Sequence, residues 1–473
     1  MNNHNIWLKI LFIGSLFALT PLCLAESLAK QASDFISDVV DVEERMLYAK
    51  FWKTKVVDGD AIILSSREIK EKNHHTLSSD STMTDLASFP TSVSNKDAIN
   101  KILKISSPYS SELYFSDGKK VTELDYNSYH QSINLDVLIE NKEQLKNIQM
   151  GIVVKRTDMR RFPDAKSAFK TTTSINLDRF QETALFPTDV VAILHESLDK
   201  KWFFAIAYNY AAWVKKEDVA IGERRQIISY KNADNFLVIT GSKIHTPFNP
   251  YNESLSELQL EMGTVIPLVD SDNIPTTIGR QNTYASHVVS LPVRDNKGEL
   301  VFQSALIARS EDVSKGYLSY TKNNIITQAF KFLGERYGWG HSFNARDCTG
   351  FVGEVYKTFG ILMPRNSGDQ SQSELGENAH FLSTASTTEK LAFFKGLDVG
   401  QLIYRPGHVM MFLGRHGNKP FIIHDVSELK YFKENGDYYK SILNGVSITP
   451  LLPLQLTENK SYVDKIYNVK KIK

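Results

Sequence analysis

The feature that most limits the fold of this chain is a series of short, strand-length apolar runs between residues 150 and 307, each closed by turn-forming residues. Gly151–Lys155, Val190–His195, Trp202–Ala207 and Ala212–Lys215 form a first group. Phe236–Thr240, Gly263–Leu268, His287–Val293 and Glu299–Ile307 form a second. Two successive units of roughly 80–90 residues built from short strands predict two small β-barrels.

The flanks read differently. Upstream, Ala32–Lys50 and Asp97–Ile105 carry helical patterns, and a Ser/Thr-rich polar stretch from Asn73 to Asn95 reads as a linker or long surface loop. Downstream, Ile325, Ile326, Ala329, Phe330 and Leu333 share one face of a helix expected over Asn323–Tyr337. Gly334, Gly338 and Gly340 break it. A second helix is expected from Thr349 to Phe359, capped by Asp347 and ended by Gly360. Strands are expected at Gln401–Arg405, His408–Leu413 and Phe421–Val426. Helices followed by antiparallel strands make an α+β pattern.

The 473 residues fit three or four domains, and 42% hydrophobic content suffices for several cores. The expected division is a signal peptide at 1–25, a helical N-terminal region at 26–140, barrels at 141–222 and 223–318, and an α+β domain at 319–473. Lys9 precedes an apolar run from Ile10 to about Leu24, and Ala25 before Glu26 suits cleavage. A lipid-modified Cys23 is the rival reading, although Leu22 stands where such signals want a small residue. No later stretch of about 18 apolar residues exists, so no transmembrane segment is expected after cleavage. With 55 basic and 54 acidic residues the chain lacks the basic excess of a nucleic-acid binder.

Cys23 and Cys348 are the two cysteines, so cleavage leaves one thiol in an exported chain. It is either reactive or a buried, inert side chain. Cys348 falls at the start of the second expected helix, where free backbone N–H groups favour a thiolate and can hold an oxyanion. Gly350 and Gly353 would let that helix end approach a neighbouring strand. A base would be a histidine held by a third polar group. If residues 408–426 form a hairpin centred near Gly417, His408 faces Val426, and His424 is its diagonal neighbour on the same face. Two solvent-facing histidines on a plain hairpin are the alternative. The chain has no His-Glu-x-x-His, Cys-x-x-Cys or Walker pattern, and no metal or other cofactor is expected.

The segments Leu333–Gly340, Asp347–Val352 and Met363–Ser367 with Gln370, then Gly407–Gly414 and Ile423-His424, resemble the NlpC/p60 family of papain-like peptidoglycan endopeptidases. Thr349 stands where serine is usual, and His341 where a second glycine is common. Arg156–Pro163, Trp202–Val214 and Met262–Leu268 look like the paired bacterial SH3-like domains of one branch of that family, which also has a helical N-terminal region.

The resemblance implies Cys348 as nucleophile, His408 as base and acid, and His424 as the orienting group. Tyr337 would line the catalytic site. Asp347, Thr349, Asn366 and Ser367 occupy motif positions where relatives bind the free amine of a stem peptide, although Asp347 can also be only a helix cap. Tyr210 is a candidate for an aromatic wall lent by the first barrel, or a core tyrosine of that barrel. The implied activity is hydrolysis of peptidoglycan or muropeptide stem peptides at the γ-D-glutamyl–diamino acid bond, in the periplasm or cell envelope. A non-catalytic peptidoglycan-binding protein, and an amidase or acyltransferase on the same scaffold, are the alternatives. The sequence leaves the oligomeric state open.

Overall fold

The computed structural model describes residues 35–473, and residues 39–473 form one unit. The expected signal peptide, with Lys9, Cys23 and Ala25, lies outside the described residues. Among the described residues no helix is long and apolar enough to cross a membrane.

The N-terminal region is helical in short pieces: α1 (Ala49–Lys53), α2 (Ser66–Ser79), α3 (Asn95–Ile105) and α4 (Glu123–Ile133). Each of the last three starts on a hydroxyl cap, Ser65, Ser94 or Thr122, which accepts from the backbone three residues on. Of the helix expected over Ala32–Lys50, the described part shows a 3-10 turn at Glu44–Leu47, and only Ala49 and Lys50 are α-helical, as the start of α1. Asn73–Ser79, read as linker, continues α2.

The first barrel is a seven-stranded antiparallel sheet. Its strands are β1 (Gln149–Val153), β2 (Thr157–Arg160), β3 (Gln181–Leu185), β4 (Val190–Glu196), β5 (Trp202–Ile206), β6 (Ala211–Lys215) and β7 (Val219–Gly222), in spatial order β7-β1-β4-β5-β6-β2-β3. Alternate residues serve two cores. Phe203 and Ala205 pack with Val153, Met159 and Val191. Phe204 and Ile206 pack with Trp213 against Ile99, Ile102 and Tyr129 of α3 and α4. The N-terminal helices therefore cover one face of this barrel.

The second β-rich unit follows α5 (Arg224–Lys231). It contains β8 (Phe236–Ile239), β9 (Lys243–His245), β10 (Gln259–Glu261), β11 (Val265–Pro267), the long pair β12 (Ser286–Arg294) and β13 (Leu300–Ala308), and β14 (Val313–Lys315). Leu237, Ile239, Leu260, Val289, Leu291 and Ile307 form its core.

The C-terminal domain opens with α6 (Lys322–Phe330), shorter than expected because the chain turns before Gly334, which has φ +83°. Then come α7 (Cys348–Lys357) and α8 (Ser367–Gln372). Strands β15 (Glu377–His380), β16 (Leu402–Arg405), β17 (His408–His416), β18 (Lys419–Phe432), β19 (Tyr438–Pro450) and β20 (Asn468–Lys471) form an antiparallel sheet ordered β15-β20-β16-β17-β18-β19. On one face Val409, Met411, Phe421, Ile423 and Ile448 bury Phe351, Val352 and Val355 of α7. On the other, Met410, Phe412 and Ile422 join Phe394, Val463 and Ile466. Met46 and Trp52 belong to the core around α7, and Trp52 packs on Phe421 with ring centroids 5.3 Å apart. The N-terminal region is thus shared between two cores.

Candidate active site

The turn between α6 and α7 fixes the position of Cys348. Asp347 is the N-cap of α7, and its Oδ1 accepts from the Gly350 amide at 2.9 Å. That cap consumes one amide of the first turn. The Cys348 amide, at the first helical position, has no acceptor within the helix.

The sulfur of Cys348 is buried and faces the backbone N–H of Val409, the residue after His408 at the start of β17. On β17 and β18, Met411 pairs with Ile423 and Phe412 with Ile422, a register that places His408 opposite Val426. A bulge between Phe412 and Gly414 absorbs the turn, where Gly417 has φ +59°. His408 and His424 are then diagonal neighbours, and His408 Nε2 lies 3.0 Å from His424 Nδ1. His424 Nε2 lies 3.1 Å from Thr449 Oγ1 on β19. All three side chains are buried.

Electrostatics correct one expectation. The free amides at the helix mouth were expected to favour a thiolate. Burial instead pushes the Cys348 pKa up to about 12, with the Asp347 and Asp425 carboxyls adding to the rise. The Val409 amide and Arg365 oppose it too weakly. His408 is driven well below the usual imidazole range by burial, by Arg405 and by His424. Burial and Arg405 lower His424 to about 3. At rest the Cys348 thiol and the His408 imidazole are therefore both neutral. Asp425, fully buried next to His424 in sequence, has neither carboxylate oxygen hydrogen-bonded among the described residues, and burial raises its pKa well above the carboxylate range.

The remaining expected site residues separate into two sets. Tyr337 is anchored by its amide on the Asn444 carbonyl at 2.9 Å. It lies close enough to Cys348 that, after burial, the sulfur is the main cause of its raised pKa. Asn366 is exposed, with Nδ2 donating to Asp369 at 2.9 Å, and Ser367 is half-buried at the start of α8. Asp347 and Thr349 turn inward. Arg365 donates to both Asp347 oxygens, at 2.7 and 3.1 Å, and to the Thr349 hydroxyl, which itself donates to Asp347 at 2.9 Å. The Gly340 amide adds a further bond at 3.1 Å. The Asp347 carboxylate is saturated by the protein, and the Arg365 charge holds its pKa far below normal against burial.

Arg365 also joins the first barrel to the start of α7, because its Nε donates to Thr183 on β3 at 2.6 Å. His341 lies beside it. Its Nε2 is 3.1 Å from Glu354 on α7, and its Nδ1 is 3.3 Å from both Thr183 and Arg365. Its φ is +66°, a region that favours glycine, and the ring sits where a Cβ on Gly350 would come within 2.7 Å of Nε2. The close approach expected of Gly350 is therefore to His341 and not to a strand. A Cβ on Gly353 would meet nothing within 4 Å. Tyr210, half-buried at the start of the β5–β6 hairpin's return strand, donates its hydroxyl to Glu182. It is close enough to Arg365 to feel its charge. Asn209 Nδ2 donates to the Met363 carbonyl at 3.1 Å, which keeps this turn against the segment leading to Asn366.

Sequence reasoning missed Thr449, Thr183 and Asp425, and gave Arg365 no role. The β-branched run Val446–Thr449 carried a strand signal for Thr449; Thr183 carried none.

Residues 334–447 match the NlpC/P60 family, and residues 165–215 match the SH3 domain of the SH3b1 type. A gamma-D-glutamyl-L-lysine dipeptidyl-peptidase from Bacillus cereus (strain ATCC 10987 / NRS 248) is 25% identical over 251 residues, covering 50% of this chain and 66% of its own length. A protein of the same name from Bacillus subtilis (strain 168) is 30% identical over 121 residues, 25% of this chain and 34% of its own. The chain thus spans less than two thirds of either relative. The structure of an NlpC/P60 endopeptidase from Photobacterium damselae subsp. piscicida superposes with a TM-score of 0.68, covering 89% of this chain and 96% of that one at 17% identity, a likeness of fold.

Proposed function

From a chain that carries an NlpC/P60 domain beside an SH3 domain of the SH3b1 type, we propose an exported cysteine peptidase that hydrolyses the peptide stems of peptidoglycan. The observation that carries this reading is the Cys348 sulfur at the mouth of α7, facing the Val409 amide next to a buried His408–His424 pair.

The electrostatics set the mechanism. Neither thiol nor imidazole is charged at rest, so His408 takes the S–H proton as the sulfur attacks the scissile carbonyl carbon. The Cys348 amide holds the oxyanion. Collapse breaks the C–N bond, and His408 returns the proton to the leaving amine. A water then loses a proton to His408 and attacks the thioester, releasing the acid and restoring the thiol.

The scissile bond we favour joins γ-D-glutamate to a diamino acid, in keeping with the curated relatives' names. Asn366, Ser367, Tyr337 and the ring of Tyr210 would meet the substrate. Asp347 and Thr349 would act through Arg365 and the helix cap, since their polar atoms already have partners.

Incubation with defined stem peptides, with and without a free N-terminal L-alanine, tests this. Cleavage at the γ-D-glutamyl bond that Cys348→Ala abolishes is the expected result. Release at the lactyl linkage would make the protein an amidase. Equal products from wild type and Cys348→Ala would end the peptidase reading.

A further inference from the structure

The buried histidine pair does not end at His424. Its outer nitrogen, Nε2, meets Thr449 Oγ1 at 3.1 Å. The three side chains lie on neighbouring strands, β17, β18 and β19. His424 pairs with Ser447, so Thr449 is its diagonal neighbour, as His408 is on the other side. The result is a slanting line of polar groups across one face of the sheet, fully withdrawn from solvent at Thr449 and nearly so at both histidines.

Such a line has only two polarities. A neutral imidazole has one N–H and one lone pair. In one polarity Thr449 accepts from His424 Nε2–H. His424 Nδ1 is then a lone pair that accepts from His408 Nε2–H, and His408 Nδ1 is left with a lone pair. In the other, Thr449 donates, every proton shifts along, and His408 Nδ1 carries hydrogen. Only the first can take a proton from a thiol.

We propose that Thr449 is a positioning residue that sets the tautomer of His424 by accepting from its Nε2–H, and through it makes His408 a base. The inference rests on the peptidase reading for its kinetic consequence but not for its structural one. A valine at 449 keeps shape and β-branching and removes the acceptor. His424 Nε2–H would then be buried unpaired, which favours the opposite tautomer, and His408 Nδ1 would carry hydrogen and could accept no proton. The loss falls on the proton-transfer step and not on substrate binding.

The test combines histidine-15N NMR of the full chain with kinetics of Thr449→Val and Thr449→Ser. In the wild type, His424 should show a protonated Nε2 and a bare Nδ1, and Thr449→Val should exchange them. On a cleaved stem peptide, Thr449→Val should lower kcat by about 10²-fold with KM unchanged, and Thr449→Ser should restore it. A proton on Nδ1 of wild-type His424 would overturn the proposal, whether or not the valine variant folds. So would a Thr449→Val kcat within about twofold of wild type. The NMR arm reads the polarity even in a chain that cleaves nothing, so this inference and the peptidase reading fail separately.

Discussion

Arg365 grips Asp347 by both carboxylate oxygens, at 2.7 and 3.1 Å, at the turn from which Cys348 projects. The pair is buried, so its value lies in being complete. Arg365→Ala leaves a buried carboxylate without its cation and should lower stability by about 3–5 kcal/mol. Thr183→Val, which removes the partner of Arg365 Nε and a contact to His341 Nδ1 but leaves the Arg365–Asp347 pair, should cost about 1 kcal/mol. Urea-unfolding midpoints measure both, and an Arg365→Ala midpoint equal to wild type would contradict this account of the cap.

The neutral thiol has a chemical signature. With its pKa pushed up to about 12, Cys348 should alkylate slowly at neutral pH, and its rate should climb about tenfold per pH unit through the alkaline range. Mass spectrometry of the Cys348 peptide after iodoacetamide treatment follows this directly. A plateau reached below pH 8 would reveal an ionised sulfur.

Catalytic substitutions should rank by distance from the reacting atoms. Cys348→Ala should abolish turnover. His408→Ala should cost at least about 10³-fold, and His424→Ala less, because it orients the base without touching substrate. Turnover on a defined stem peptide gives the order, and a His424→Ala loss larger than that of His408→Ala would reverse the assigned roles.

Acid should destabilise the fold in two windows. Burial lowers His195 from 6.5 to about 4 although its Nε2 donates to the Ile133 and Asn134 carbonyls. The unfolded chain binds a proton there that the native chain refuses, so this contribution is full above pH 6.5 and drains away as pH falls toward 4. Glu354, held by Arg346 at 2.6 Å, is lowered from 4.5 to about 2 against its burial. Its contribution is full above 4.5 and is lost as pH falls through 2. Melting temperature against pH should become shallower in the upper window for His195→Gln, with the remaining slope carried by buried His408 and His424, and shallower in the lower window for Glu354→Gln.

His341 and Gly350 should behave as a coupled pair. Gly350→Ala drives a methyl into the imidazole and should cost about 1–3 kcal/mol. His341→Gly removes the ring and relieves the positive φ, so the double variant should recover part of the loss. Strict additivity in thermal melts would argue against contact between the two.

Much of this was legible in the sequence where the signal is periodic. The expected barrel strands fall within a few residues of β1, β4–β6, β8 and β11–β13, and the two-residue alternation around Gly417 gives the observed register. The site was legible where residues cluster in order. It was not where partners come from afar. Nothing near Thr183 announces Arg365, and nothing near Asp347 announces that its carboxylate is already filled. The thiolate reading failed for a related reason: a helix terminus is a local property, whereas the burial that outweighs it is assembled from the whole domain.

The tilted packing of Trp52 against Phe421 joins the N-terminal region to a strand of the C-terminal sheet, within the same core that holds Cys348. Closing so large a loop is slow, because the entropy is lost before the contact is gained. The packing around Cys348 is complete only once these distant segments have met, so the thiol should be among the last groups shielded as the fold forms.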